Sequence, residues 1–272
     1  MHDLLPYSQE YGSLPPPDST QEIPMNILIR ALGAAVVALC LAMPPAHASV
    51  VIDGTRVVFP AQQGEVTVRL SNQGNQPALV EAWIDKGNLN STPDSVDTPF
   101  LITPPLFRMD PHKDQSLRIL YVQGAKPLPN DRESLFWLNV LDIPPKPSGP
   151  QYAGHNYLQF AIRSRLKLFY RPAHLPGSSI KAPDQLVFKD ATGPGVALAV
   201  HNPTPYYITI SGLAFGTAGK PVAGAEGMVA PFGDLRLPLK GLAQAPGAGT
   251  PVVFTTINDY GAGDVHKATV AP

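Results

Sequence analysis

Glu65-Val66-Thr67-Val68-Arg69-Leu70 alternates polar and apolar residues with a period of two, which sets Val66, Val68 and Leu70 on one face of an extended strand and the others opposite. A segment of this kind buries one face and wets the other. Working outward, similar runs occur at Arg56 to Phe59, Ala78 to Ile84, Ser116 to Val122, Leu135 to Leu141 and Tyr157 to Tyr170. Asn72-Gln73-Gly74-Asn75 and Asp110-Pro111 supply turn chemistry between them. A second set follows at Gln185 to Lys189, Val196 to His201, Tyr206 to Leu213, Gly227 to Phe232 and Pro251 to Ile257. Between the sets, His174-Leu175-Pro176-Gly177-Ser178-Ser179 suits neither helix nor sheet and reads as a linker. No segment carries a long, capped amphipathic helix, and 32 prolines with 23 glycines disfavour one. The pattern therefore predicts an all-β chain of two β-sandwich domains, residues 49–173 and 174–272.

The 272 residues are 44% hydrophobic and 15% charged, enough to build real cores, which excludes a disordered chain. A net charge of -1 gives no basic face for nucleic acid. From Met25 a short basic region with Arg30 leads into an apolar run and closes on Ala46-His47-Ala48, which reads as a signal peptide over residues 25–48 with cleavage after Ala48. A membrane anchor is the rival reading, but the apolar run from Ala31 to Met43 is short of the roughly 20 residues that span a bilayer, so no membrane insertion of the mature chain is expected. Residues 1–24 are polar and read as an upstream extension, with Met25 as the true start. The one cysteine, Cys40, falls in the signal, so the mature chain has no disulfide and must hold by packing.

The segment Tyr157 to Pro172, YLQFAIRSRLKLFYRP, is long for a strand, whose usual length is about five or six residues. Leu158, Phe160 and Ile162 alternate with polar or small residues before the pattern runs on to Leu166 and Leu168. It is either a central sandwich strand or an exposed edge. An exposed apolar edge templates association with other chains, so a protein that keeps one uses it.

TPPLFRMDP (Thr103 to Pro111), LPNDRESLFWLNVLDIPPKP (Leu128 to Pro147), RLKLFYRP (Arg165 to Pro172), HNPTPYYITISGL (His201 to Leu213) and INDYGA (Ile257 to Ala262) together resemble the signatures of PapD-like periplasmic pilus-assembly chaperones, in family order. The resemblance implies two immunoglobulin-like domains at an angle, with a cleft in which a pilus subunit docks before delivery to an outer-membrane usher. It implies that Arg56 and Lys167 anchor the subunit's terminal carboxylate, that Leu158, Phe160, Ile162 and Leu166 form the donor strand, and that Glu133, Arg171 and Asp259 bridge the domains. It implies no cofactor and no catalysis. Without the resemblance, Arg56 and Lys167 would read as solvated surface cations. His201 to Tyr207 reads as turn and strand scaffolding.

Lys167 is odd in position while Leu158, Phe160 and Ile162 are even, so on an ideal strand they face opposite sides, and sharing one ligand demands twist, a bulge or a bent tail. Two features depart from the family pattern. His112 stands at a turn position where glycine is usual, which predicts a different turn, and the loop Lys146 to Asn156 is lengthened by Pro, Gly and Ser. An enzyme finds no support, because His112, His155, His174, His201 and His266 are scattered and there is neither a G-x-S-x-G elbow nor a phosphate loop. A structural or adhesive immunoglobulin-like fibre module is the other alternative, and an exposed donor edge also offers a route to self-association.

Overall fold

The computed structural model describes residues 50–272 apart from 125–126, 153, 192, 217–219 and 223; the segments read above as signal peptide and upstream extension lie outside the described residues. The first domain is built from β1 (Val50–Ile52), β2 (Arg56–Pro60), β3 (Glu65–Asn72), β4 (Ala78–Asp85), β5 (Phe100–Thr103), β6 (Leu106–Met109), β7 (Asp114–Tyr121), β8 (Ser134–Ile143) and β9 (Ile162–Arg171). They form a four-stranded sheet, β1-β3-β7-β5, and a five-stranded sheet, β2-β9-β8-β4-β6. The two sheets close over one core in which Phe59, Leu70, Val80, Leu117, Ile119, Leu138 and Leu168 are fully buried. These residues occupy alternate positions of their strands, as period-two burial requires. Phe59, Phe100, Tyr121, Phe136 and Tyr170 form a cluster of rings, with Phe100 edge to face with Phe59, Phe136 and Tyr170, Phe59 stacked on Tyr170, and Tyr121 tilted against Tyr170.

The second domain contains β10 (Val187–Asp190), β11 (Ala197–His201), β12 (Ile208–Phe215), β13 (Lys220–Pro221), β14 (Gly227–Val229), β15 (Asp234–Pro238), β16 (Pro251–Ile257) and β17 (Gly263–Thr269). β10-β11-β15 make one sheet, and β13-β12-β16-β17, with β14 also on β12, make the other. Phe188, Leu198, Ile210, Leu237 and Phe254 fill the core between them. The all-β reading thus holds, as two β-sandwich domains.

One expectation is corrected. Tyr157 to Ala161 is not strand, because β8 runs into Pro144-Pro145, which have no N–H to donate, so β9 finds a partner only from Ile162 onward, opposite Asp142. The chain ahead of it is held instead by Gln159 Nε2, which donates to the Pro144 carbonyl at 2.6 Å. In the turn after β6, His112 adopts φ 57°, the left-handed conformation that glycine would supply, while its N–H donates to the Asn72 carbonyl. A side chain in that region is strained by about 1 kcal/mol, so His112→Gly is expected to raise the melting temperature by about 2–4 °C, read by thermal denaturation.

Candidate functional site

Chain direction first sets Arg56 in place. β1 pairs with β3 in one sheet and β2 with β9 in the other, so the chain changes sheets across Asp53-Gly54-Thr55. Gly54 takes φ 93° there, which an L side chain rarely adopts. β2 then runs parallel to β9 with Arg56 beside Lys167 in register, both side chains on the same face. Each reaches to the second domain: Arg56 Nη1 donates to the Ile257 carbonyl at 2.8 Å, and Lys167 Nζ to Thr209 Oγ1 at 3.1 Å. The Arg56 guanidinium lies over the Phe169 ring at 5.8 Å, and its Nε is buried without a hydrogen-bond partner. Among the described residues neither cation forms a salt bridge. Burial, reinforced by the Arg56 charge, holds the Lys167 ammonium below the ordinary lysine range. Burial also lowers Arg56, against the distant pull of Asp259 and Glu133. Two half-buried cations thus stand side by side with no carboxylate between them, so each disfavours the charged form of the other.

β9 has one paired edge along its whole length and one that is only half paired. β8 follows it in unbroken register from Ser134↔Tyr170 to Asp142↔Ile162, without a bulge. On the other side β2 covers only Lys167 to Arg171. Among the described residues no strand pairs with Ile162 to Leu166 on that side. Next to this open edge Leu158, Phe160 and Ile162 are 84, 70 and 57% exposed, three large apolar side chains within five residues that water disfavours. Leu166 differs from these three: it is 6% exposed and packs in its own domain's core, so only its backbone lies at the open edge. The parity argument stands, since Leu166, Leu168 and Tyr170 face that core while Lys167 lies on the opposite face.

Glu133, Arg171 and Asp259 come together between the domains. Arg171 Nε donates to Glu133 Oε1 at 2.6 Å, and Nη1 and Nη2 form a fork on Asp259 at 2.7 and 2.9 Å. Ser179 Oγ adds a bond to Asp259, and the Tyr207 N–H donates to Glu133 Oε2 at 2.7 Å. Together with Arg56, Phe169 and Ile257 these groups line one cleft between the two sandwiches.

Residues 49–176 match the family of the pili and flagellar-assembly chaperone, PapD N-terminal domain, and residues 181–268 the pili assembly chaperone PapD, C-terminal domain. The chain belongs to the PapD-like pilus-assembly chaperones. It is 47% identical over 245 residues to the chaperone protein FimB/FhaD of Bordetella pertussis, covering 89% of this chain and 96% of that one. To the chaperone protein HifB of Haemophilus influenzae it is 49% identical over 224 residues, covering 82% and 88%. The crystal structure of the YadV chaperone, whose sequence relative is from Escherichia coli, matches at TM-score 0.68 and 38% identity, covering 82% of this chain and 100% of that one. That of the Salmonella enterica SafA pilin in complex with the SafB chaperone matches at 0.67 and 28%, covering 84% and 99%. The protein is a secreted, periplasmic chaperone of pilus subunits and not an enzyme, with immunoglobulin-like sandwiches as its two domains.

Several residues of the chaperone's interdomain contact escaped the sequence reading. His201 to Tyr207 does more than scaffold: the Pro205 carbonyl accepts from the Glu133 N–H, the Phe169 and Tyr207 rings lie 5.7 Å apart, and Arg171 lies over Tyr206. Thr209 and Ser179 carried no signal beyond their hydroxyls. The ionic network shows opposing pulls. Burial raises the Glu133 carboxyl, although Arg171 and the Tyr207 N–H work against it. Burial would raise Asp259 too, but hydrogen bonds and charge from Arg171, with Ser179 and Arg56, hold it below the usual carboxylate range.

Proposed function

We propose that the chaperone captures pilus subunits by lending them the open edge of β9, while Arg56 and Lys167 bind the subunit's terminal carboxylate. The observation that carries this reading is the abrupt end of the covered edge: β2 begins at Arg56 beside Lys167, and among the described residues no strand pairs with the edge from Ile162 to Leu166. A subunit strand laid along the free part would meet the start of β2 end on. Its chain terminus, not a side chain, would then arrive at the cation pair. This arrangement removes the parity conflict, because a terminal carboxylate lies in line with the backbone and need not share a face with Phe160 and Ile162. Donor-strand complementation, an established form of β-augmentation, would satisfy the subunit's open backbone while Leu158, Phe160 and Ile162 enter its unfinished core. Burial of apolar area at roughly 25 cal/mol per Å² supplies the driving force without nucleotide.

The same reading places cleavage of a signal peptide after Ala48, a domain boundary near residue 173, delivery of the subunit to an outer-membrane usher, and the Glu133–Arg171–Asp259 cluster as what orients the cleft. Phe160→Asp and Leu166→Ala separate the donor role from the structural one. Phe160→Asp is expected to change stability by no more than about 0.5 kcal/mol, because the side chain is exposed, yet to leave co-expressed subunits unprotected from periplasmic proteolysis. Leu166→Ala is expected to cost about 2–5 kcal/mol of folding stability. Normal subunit yields with Phe160→Asp would refute the donor role.

Lys167 gives the capture a pH signature. Its ammonium titrates below the ordinary lysine range in the free protein, and an arriving carboxylate would raise it again, so binding takes up protons on the alkaline side. Affinity is therefore expected to fall as pH rises toward the ordinary lysine value, and Lys167→Arg is expected to flatten the profile. Titration with a peptide bearing a free C-terminal carboxylate reads it; a flat wild-type profile to about pH 10 would exclude Lys167 as an anchor.

A further inference from the structure

An edge that must stay open cannot be held by strands on both sides. Among the described residues Ile162 to Leu166 pairs with β8 alone, so the part of β9 that borders the exposed apolar row has half the backbone support of the part beyond it. The outer face supplies the rest. Arg163 and Arg165 project from odd positions onto the face opposite the core, over the Trp83 and Trp137 rings at 4.7 Å each. Beneath them Asp85 and Asn139 are buried, and so is Ser91 in the segment that follows β4.

The bonding converges on Asp85. Arg165 Nη2 reaches both of its carboxylate oxygens, at 2.9 and 3.1 Å, and Asn139 Nδ2 and Ser91 Oγ each donate at 2.8 Å. The Gly87 N–H adds a bond at 2.6 Å. Asn139 Oδ1 accepts from Arg163 and Arg165 together, and Arg163 extends to Ser91 Oγ and to the Leu89 carbonyl at 2.9 Å each. The cluster therefore ties three strands and one loop to the first residues of β9. Burial would raise the Asp85 carboxyl, but these donors hold it below the usual range, so it is a charged partner for the arginines at neutral pH.

We propose that Asp85, Arg163 and Arg165 are positioning residues for subunit capture: they hold Ile162 to Leu166 extended and in the plane of the sheet from its outer face, so that the inner row and the free edge stay available. The proposal rests on the reading of that edge as the docking strand. Its physical basis is that side-chain bonds perpendicular to the sheet can rigidify a strand without occupying its edge. A flexible donor strand would have to be ordered at each capture, which slows association.

Native-state hydrogen exchange on the full mature chain tests it, with Arg163→Gln at the partly exposed rim and Asp85→Asn at the buried centre. Exchange of β9 amides over residues 162–166 is expected to speed up at least tenfold in both variants, while residues 167–171 and the second domain stay as in the parent. In parallel, association of a synthetic peptide with alternating apolar residues and a free C-terminal carboxylate is expected to slow several-fold, with its dissociation less affected. If Asp85→Asn fails to fold, Arg163→Gln alone decides. Uniform acceleration across the first domain, or none over residues 162–166, would overturn the positioning role. Locally faster exchange with peptide association unchanged would support the clamp and instead overturn the edge as the docking site.

Discussion

Arg56→Ala and Lys167→Ala are each expected to abolish subunit capture while leaving the chaperone folded. Truncating one member of a desolvated charge pair costs about 2–5 kcal/mol of binding, or roughly thirtyfold to several thousandfold in affinity. The free protein has little to lose. Arg56 and Lys167 sit side by side in register, half buried, and neither is salt-bridged among the described residues, so each raises the energy of the other. Lys167→Met, which keeps the stem and removes the charge, is accordingly expected to melt no lower than the parent, and to fail in protecting subunits just as Lys167→Ala does. Retained stability with lost function would mark a site kept at a cost for binding. Co-expression with fimbrial subunits, with subunit yield and melting temperature measured on the same variants, checks both halves. Undiminished yields would remove the anchor, and a large drop in melting temperature would recast the pair as structural.

Arg171→Ala is expected to have the largest effect on the fold. It would leave Glu133, 3% exposed, and Asp259 without their shared partner, and a broken buried pair costs about 3–5 kcal/mol against about 0–1 for a surface one. The fork geometry makes the outcome specific. Arg171 meets Glu133 through Nε and Asp259 through both terminal nitrogens, which a lysine cannot reproduce, so Arg171→Lys is expected to recover less than half of the loss. Denaturant unfolding of Arg171→Ala, Glu133→Ala and the double variant would give the coupling directly. A coupling below about 1 kcal/mol would show that the domains are held by Phe169–Tyr207 packing and backbone bonds instead. Asp259 also sets the acid limit of this contact. Its folded value lies below the ordinary carboxylate value, so its contribution is present above that value and lost as pH falls through the folded one.

Much of this was legible along the chain because burial in a sandwich has a period of two. Val66, Val68, Leu70 and the Pro251–Ile257 strand could be read from alternation alone, and the residues of the proposed carboxylate site came from motif resemblance. Short edge strands were missed: β5, β6, β15 and β17 have too few residues or too mixed a pattern to stand out. The extent of β9 was misread because its first residue is set by where the partner strand runs out, at Pro144-Pro145, and not by its own composition. The burial of Leu166 beside an exposed Ile162 was hidden for a related reason. Alternation says which residues share a row, but not where along that row a core ends and the surface begins.

By itself the sequence determined the local and repeating facts: an all-β chain, its alternating rows, a single cysteine at position 40 and the charged residues available for a site. Only the tertiary structure decided which edge of β9 is covered and that Arg56 stands beside Lys167, far from it in the chain. It also decided that Asp85, Arg163 and Arg165 close on one another. Those facts depend on strand order and register, which arise from packing two sheets around a common core and leave no period in the sequence to read.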